Sequence, residues 1–172
     1  MHREVATSGV LMLPYTASSV GVARRRLVSD LTEAGVREGP ACDAGLVVSE
    51  LTSNALRHAT PLTGNRVKVM WNLGADSITI AVIDGGAETL PRVHEPSRSS
   101  LGGRGLGIVA RLSIQWGVDV NRGAPRGGDT SGTTAVTPLP EIPGTPETTV
   151  WAELPVEYAS VPALAALSSR DA

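Results

Sequence analysis

The chain has 172 residues, 41% of them hydrophobic and 19% charged, with a formal net charge of −2. That length and balance suit one domain with a sizeable core and exclude a disordered chain. The slight acidic excess argues against general binding to a nucleic-acid backbone, and with Lys68 as the sole lysine there is no Gly-Lys-Ser/Thr phosphate loop.

Cys42 is the single cysteine, so it forms no internal disulfide. It suits a reducing compartment and reads as a small buried helix residue. The start, Met1 to Thr7, has no long apolar run, and no stretch reaches the roughly 18–20 apolar residues of a membrane span. A soluble cytoplasmic protein is expected.

Val10–Leu13 is a short apolar run closed by Pro14 and predicts a strand. Ser18 or Ser19 is placed to cap a helix that runs to about Ala34 and stops at Gly35. Val20, Ala23, Leu27, Val28 and Leu31 form its apolar stripe. Arg24, Arg25 and Arg26 fan around that helix, which gives a solvated surface or a partner contact rather than one basic face. A second helix is expected from about Ala41 to Ala59, after Gly39–Pro40 and before Thr60–Pro61. Ala44, Val48, Leu51, Ala55 and Ala59 share one face, and Glu50, Asn54, Arg57 and His58 gather on the other.

Arg66–Leu73 and Ser77–Ile83 read as a hairpin around Gly74–Ala75–Asp76. Ile78, Ile80 and Val82 alternate with Thr79, Ala81 and Ile83, and Asp84–Gly85–Gly86 then breaks the strand. Residues 87–103 are polar and predict a loop or lid. A third helix is expected over Arg104–Gln115, with Leu106, Val109, Ala110 and Leu112 apolar, followed by a strand over Trp116–Val120. Residues 121–147 are rich in Gly, Pro and Thr and predict a flexible insertion, either a long hairpin excursion or a disordered segment. Thr148–Leu154 alternates as a closing strand, and the tail, 156–172, has room for one short Ala/Leu helix. One domain spans 1–172, with its core at about 10–155. The order of elements predicts a two-layer α+β sandwich: a mixed, mostly antiparallel sheet covered on one face by about three helices.

Three motifs carry chemistry. Glu50 and Asn54 lie one helical turn apart. A carboxylate there can take the proton of a water or hydroxyl poised at a terminal phosphate. The Asn oxygen can help hold Mg²⁺, whose other positions go to waters and phosphate oxygens. Taken alone, the pair also suits a plain solvated face. Asp84 at a strand end can accept a hydrogen bond from an exocyclic amine such as adenine N6, with Gly85 and Gly86 letting the backbone approach a flat base. Alone, this is equally an Asp-Gly turn. In Gly103–Arg104–Gly105–Leu106–Gly107, glycines at a helix start leave N–H groups free for phosphate oxygens, and Arg104 adds charge. No strand leads directly into these glycines, which argues against a dinucleotide fold. The three histidines lack metal-ligand spacing. Together the three motifs point to a nucleotide site.

These residues resemble a known family. Glu50-x-x-x-Asn54 with Arg57–His58–Ala59 is similar to the N-box of the GHKL, or Bergerat-fold, ATP-binding superfamily. Val82–Ile83–Asp84–Gly85–Gly86 and Gly103–Arg104–Gly105–Leu106–Gly107–Ile108–Val109 resemble its two glycine boxes. Thr148 to Leu154 resembles its closing strand, with a phosphate-facing threonine. Ala23–Arg24, Gly103–Arg104–Gly105 and Trp116–Gly117 resemble the single-domain branch of anti-sigma-factor serine/threonine kinases.

The resemblance implies ATP and Mg²⁺ as cofactors. It implies Glu50 as the base, Asn54 as the Mg²⁺ ligand and Asp84, with Gly86, at the adenine. Gly103, Arg104, Gly105, Leu106 and Gly107 would line the phosphates, and Thr149 would complete the site. It further implies a sigma factor and a STAS-domain anti-anti-sigma protein as partners, the latter phosphorylated on serine. Direct nucleic-acid or membrane contact is not implied, and a homodimer is left open. Two departures keep a second reading, that of a nucleotide-weak module sequestering a transcription regulator without catalysis. Glu88 stands where the first glycine box usually has its last Gly, and Glu147 and Thr148 precede Thr149 where a Gly is common. A freestanding sensor histidine kinase fits less well, because residues 1–40 have room for one helix and His2 is not on it.

Overall fold

A computed structural model describes residues 7–87, 104–121 and 146–159. The elements run β1 (Thr7–Pro14), α1 (Ser18–Glu33), α2 (Glu38–His58), β2 (Arg66–Leu73), β3 (Ser77–Asp84), α3 (Arg104–Leu112), β4 (Gln115–Asn121) and β5 (Glu147–Pro155). The strands form one sheet in the order β1-β2-β3-β5-β4. Every neighbouring pair is antiparallel, so the described sheet is purely antiparallel rather than mixed. The expected two-layer α+β architecture is present.

Strand alternation decides which face is covered. Leu13, Val67, Val69, Trp71, Leu73, Ile78, Ile80, Val82, Val150, Ala152 and Leu154 are buried and share one face by register. The helices lie on it. On α1 the buried residues are Ser19, Ala23, Leu27 and Leu31, four apart each time. On α2 they include Ala44, Val47, Val48, Leu51 and Ala55. Gly45 lets the two helices approach, since a β-carbon there would stand 2.8 Å from Val28 Cγ2. Val10 and Met12 alternate to the other face of β1 and are exposed.

Several boundaries differ from the expectation. Helix α2 begins at Glu38, so Gly39 and Pro40 lie in its first turn. Pro is tolerated there because first-turn N–H groups have no intrahelical acceptor. Neither Ser18 nor Ser19 caps α1: Ala17 is the N-cap and makes no side-chain cap bond, while the Ser19 hydroxyl donates to Pro14 O at 2.6 Å. Helix α3 stops at Leu112, because Ile114 N–H already donates to Glu153 O at 2.7 Å and leads into β4. Cys42 is exposed, not buried, since it lies on the outer side of α2 beside exposed Asp43. The expected insertion, apart from its ends, and the tail helix lie outside the described residues. Among those described, no helix is long and apolar enough to cross a membrane.

Leu51 is 1% exposed and ties α2 to the sheet. Leu51→Ala is expected to cost about 2–5 kcal/mol. Met12→Ala, on the uncovered face, is expected to stay within about 0.5 kcal/mol. Urea unfolding of both variants checks which face carries the core.

Candidate functional site

The C-terminal half of α2 carries two polar residues toward α3. Glu50 and Asn54 are both half-buried, and α3 packs on α2 through its first turn. Gly105 makes this approach possible. A β-carbon at 105 would collide with Glu50 Oε2, and would stand 3.4 Å from Glu50 Cδ and 3.6 Å from Asn54 Nδ2. The structure thus brings Glu50, Asn54 and Gly105 into one cluster. Gly107 differs, because a β-carbon there would meet nothing within 4 Å. Leu106 is half-buried and packs on the core, so only its main chain is placed to serve a ligand. Arg104 opens α3. Gly103, Glu88 and the expected lid lie outside the described residues.

Asn54 Nδ2 is buried without a hydrogen-bond partner. A buried amide left unpaired costs about 1–3 kcal/mol. Such an atom beside a carboxylate and a helix start, whose first N–H groups have no intrahelical acceptor, fits a site that receives a polar ligand. Half a turn of the amide exchanges its oxygen and nitrogen, so Asn54 can offer an acceptor to a cation or a donor to a phosphate oxygen.

The second cluster lies at the end of β3. Asp84 follows Ile78, Ile80 and Val82 on the helix-covered face and is 3% exposed. Its Oδ1 accepts the Gly86 N–H at 2.8 Å. Burial pushes its carboxyl up to about 6, against the opposing effect of that hydrogen bond. Gly86 holds a left-handed φ of 82°, which favours glycine.

The register pairs Asp84 with Thr148, not Thr149. Thr148 is buried, and its Oγ1 lies 3.3 Å from where a Gly86 β-carbon would stand. Thr149 pairs with Ile83 and Asp119 on the opposite face of the sheet. The threonine that joins Asp84 and Gly86 is therefore Thr148, and the expectation for Thr149 is corrected. The signal was present in the sequence: the inward set Val150, Ala152, Leu154 extends by alternation to 148.

Tyr15 and Thr60 were not singled out by sequence reasoning, yet both frame this end. The Tyr15 hydroxyl donates toward Ala55 O, at 2.6 Å, and Ala59 O, the carbonyls at the end of α2. Burial, and then the charge of Asp84, push its phenol above its ordinary value, which keeps it a donor. Neither contact has a local sequence signature, since Tyr15 reaches forty residues along the chain.

Asp84 is a cost to the fold near neutral pH. Its carboxyl is raised in the folded state, so its contribution to stability is most favourable below the unfolded value of 3.8, falls as pH rises toward about 6, and stays unfavourable above that. Asp84→Asn keeps an acceptor for Gly86 N–H and removes the charge. It is expected to gain about 1–3 kcal/mol at pH 7.5 and little or nothing at pH 3.5. Denaturant titrations at the two pH values check this.

Comparison with known proteins agrees with this geometry. Residues 13–129 match the family described as Histidine kinase-like ATPase domain. That span holds Glu50, Asn54, Asp84, Gly86 and the α3 glycines, and stops before β5. A search of curated proteins finds no match. The name of the family implies ATP as the ligand of the cluster, and the unpaired Asn54 amide and the buried Asp84 carboxyl suit it. With the match covering more than half of its length, the chain belongs to the histidine kinase-like ATPase domain family.

Proposed function

We propose that this protein is an ATP-binding regulator of transcription that acts as an anti-sigma factor and phosphorylates a serine of a STAS-domain antagonist. The observation that carries the reading is the packing of Gly105 on Glu50 and Asn54. It sets a carboxylate and an amide beside the start of a helix whose first N–H groups have no intrahelical acceptor. The choice of this branch rests on Ala23–Arg24, Gly103–Arg104–Gly105 and Trp116–Gly117, which resemble anti-sigma-factor kinases.

Each residue then has a task. Asp84, with Thr148 beside it, accepts from the exocyclic amine of adenine. The α3 start receives phosphate oxygens. Asn54 would hold Mg²⁺, which supplies charge neutralisation on the phosphates when bound. Glu50 takes the proton of the antagonist's serine hydroxyl as the serine oxygen bonds to the γ-phosphorus, the bond from that phosphorus to the β,γ-bridging oxygen breaks, and ADP departs. A cytoplasmic location and a sigma-factor partner belong to the same proposal. The position of Thr148 supports nucleotide binding where the departure around Thr149 had argued for a weaker site.

With labelled ATP and a cognate STAS protein, the unaltered chain is expected to yield phosphoserine. Glu50→Ala is expected to lower transfer by about 10²–10⁴-fold while Mg-ATP affinity changes little. Retained transfer in that variant refutes the base assignment. Calorimetry that shows no heat at millimolar Mg-ATP refutes the kinase and leaves a sequestering module.

Gly105→Ala tests the packing itself. The added methyl is expected to displace the α3 start from Glu50 and to weaken Mg-ATP binding at least about tenfold. Gly107→Ala, with open space around it, is expected to leave the fold unaltered by thermal melting.

A further inference from the structure

The segment leaving α2 and the turn leaving β3 are bound to each other through one residue. Thr60 N–H donates to Gly86 O at 2.8 Å, and Gly85 N–H donates to Thr60 O at 2.9 Å. The Thr60 hydroxyl donates between Gly85 O at 2.9 Å and Gly86 O at 3.0 Å. The fit is close. A β-carbon on Gly85 would stand 2.6 Å from Pro61 O and 2.9 Å from Thr60 Oγ1.

Thr60 is also fixed from behind. Ala59 N–H closes the last turn of α2 on Ala55 O at 3.0 Å. The Tyr15 hydroxyl serves the carbonyls of Ala55 and Ala59, and Tyr15 N–H donates to Asn65 O at 2.9 Å. A continuous path therefore joins the helix that bears Asn54 to the turn that follows Asp84, and Thr60 is its last link.

We propose that Thr60 is a positioning residue that sets base preference, because it holds the Asp84–Gly85–Gly86 turn in the shape that aims Asp84 at an amine donor on the bound base. This inference rests on the nucleotide reading above. Adenine carries an exocyclic N–H₂ where guanine carries a carbonyl oxygen. A fixed carboxylate accepts from the first and repels the second. A turn free to shift loses that distinction first, while the phosphate contacts at the α3 start are untouched. The hydroxyl is exposed, so water replaces part of what is lost and the effect is moderate.

Calorimetry of the full chain with Mg-ATP and with Mg-GTP tests the proposal in the unaltered protein, Thr60→Val and Thr60→Ser. Thr60→Val is expected to weaken ATP binding about three- to tenfold and leave GTP binding unchanged, which narrows the preference by the same factor. Thr60→Ser, with its hydroxyl retained, is expected to restore both. Thr60→Ala carries the same expectation as the valine variant should the latter fail to fold. Equal losses for ATP and GTP, or a serine variant no better than valine, overturn the proposal and leave Thr60 a structural residue. Unaltered ATP affinity in Thr60→Val, with the parent chain binding ATP, overturns this inference alone. A parent chain that binds neither nucleotide overturns the functional reading and this inference with it.

Discussion

The packing of α2 is the constraint on which the rest of the molecule depends. One 21-residue helix lies against α1, the sheet and α3 together. Its buried face, from Ala41 through Val48 and Leu51 to Ala55, is apolar and small enough to sit closely on the strands. The face at right angles to it carries Glu50 and Asn54 and meets α3. Burial of Leu51 and Val48 stabilises by about 1.5–3 kcal/mol each. An unpaired polar atom is tolerated at Asn54 Nδ2 because the surrounding hydrophobic contacts outweigh it.

Asp84 is the second place where site and stability oppose each other. A carboxyl 3% exposed at the end of an apolar strand is a poor choice for folding alone. The single hydrogen bond from Gly86 offsets only part of the desolvation, which is why the carboxyl is still raised to about 6. The local structure compensates with connections rather than charge. Asp84 pairs with Thr148, accepts the Gly86 N–H and acts on Tyr15; the ion pairs Arg26–Asp30 and Arg37–Glu157 lie elsewhere on exposed surface and contribute little. A buried acceptor that no cation among the described residues pairs with suits recognition of a neutral donor on a ligand better than it suits an ion-pair network.

The sequence made some of this legible and concealed the rest, for physical reasons. The hairpin of β2 and β3 was readable to within one residue, Asp84 at the end of β3, since both strands alternate cleanly and Gly74–Ala75–Asp76 marks the turn. The Glu50–Asn54 pair was readable because i to i+4 spacing places the two residues together without any knowledge of the sheet. Thr149 was misassigned because two adjacent threonines satisfy the same pattern, and only the pairing of β5 with β3 shows which faces Asp84. A one-residue slip in a strand inverts every side chain. Tyr15 and Thr60 were out of reach for another reason. Their partners lie 40 and 25 or more positions away, at points where β1, α2 and β3 come together only in the folded chain.

The two clusters are not independent. Asn54 and Ala55 are consecutive on α2, and Ala55 O is an acceptor for both the Tyr15 hydroxyl and Ala59 N–H. A displacement of the helix at Asn54 therefore acts on the anchor from which Thr60 reaches Gly85 and Gly86. Gly105 closes the circuit from the other side, because α3 rests directly on Glu50 and has no side chain there to cushion the contact. One helix, held at its end by the Tyr15 hydroxyl and met at its middle by a glycine, thus contributes to both clusters.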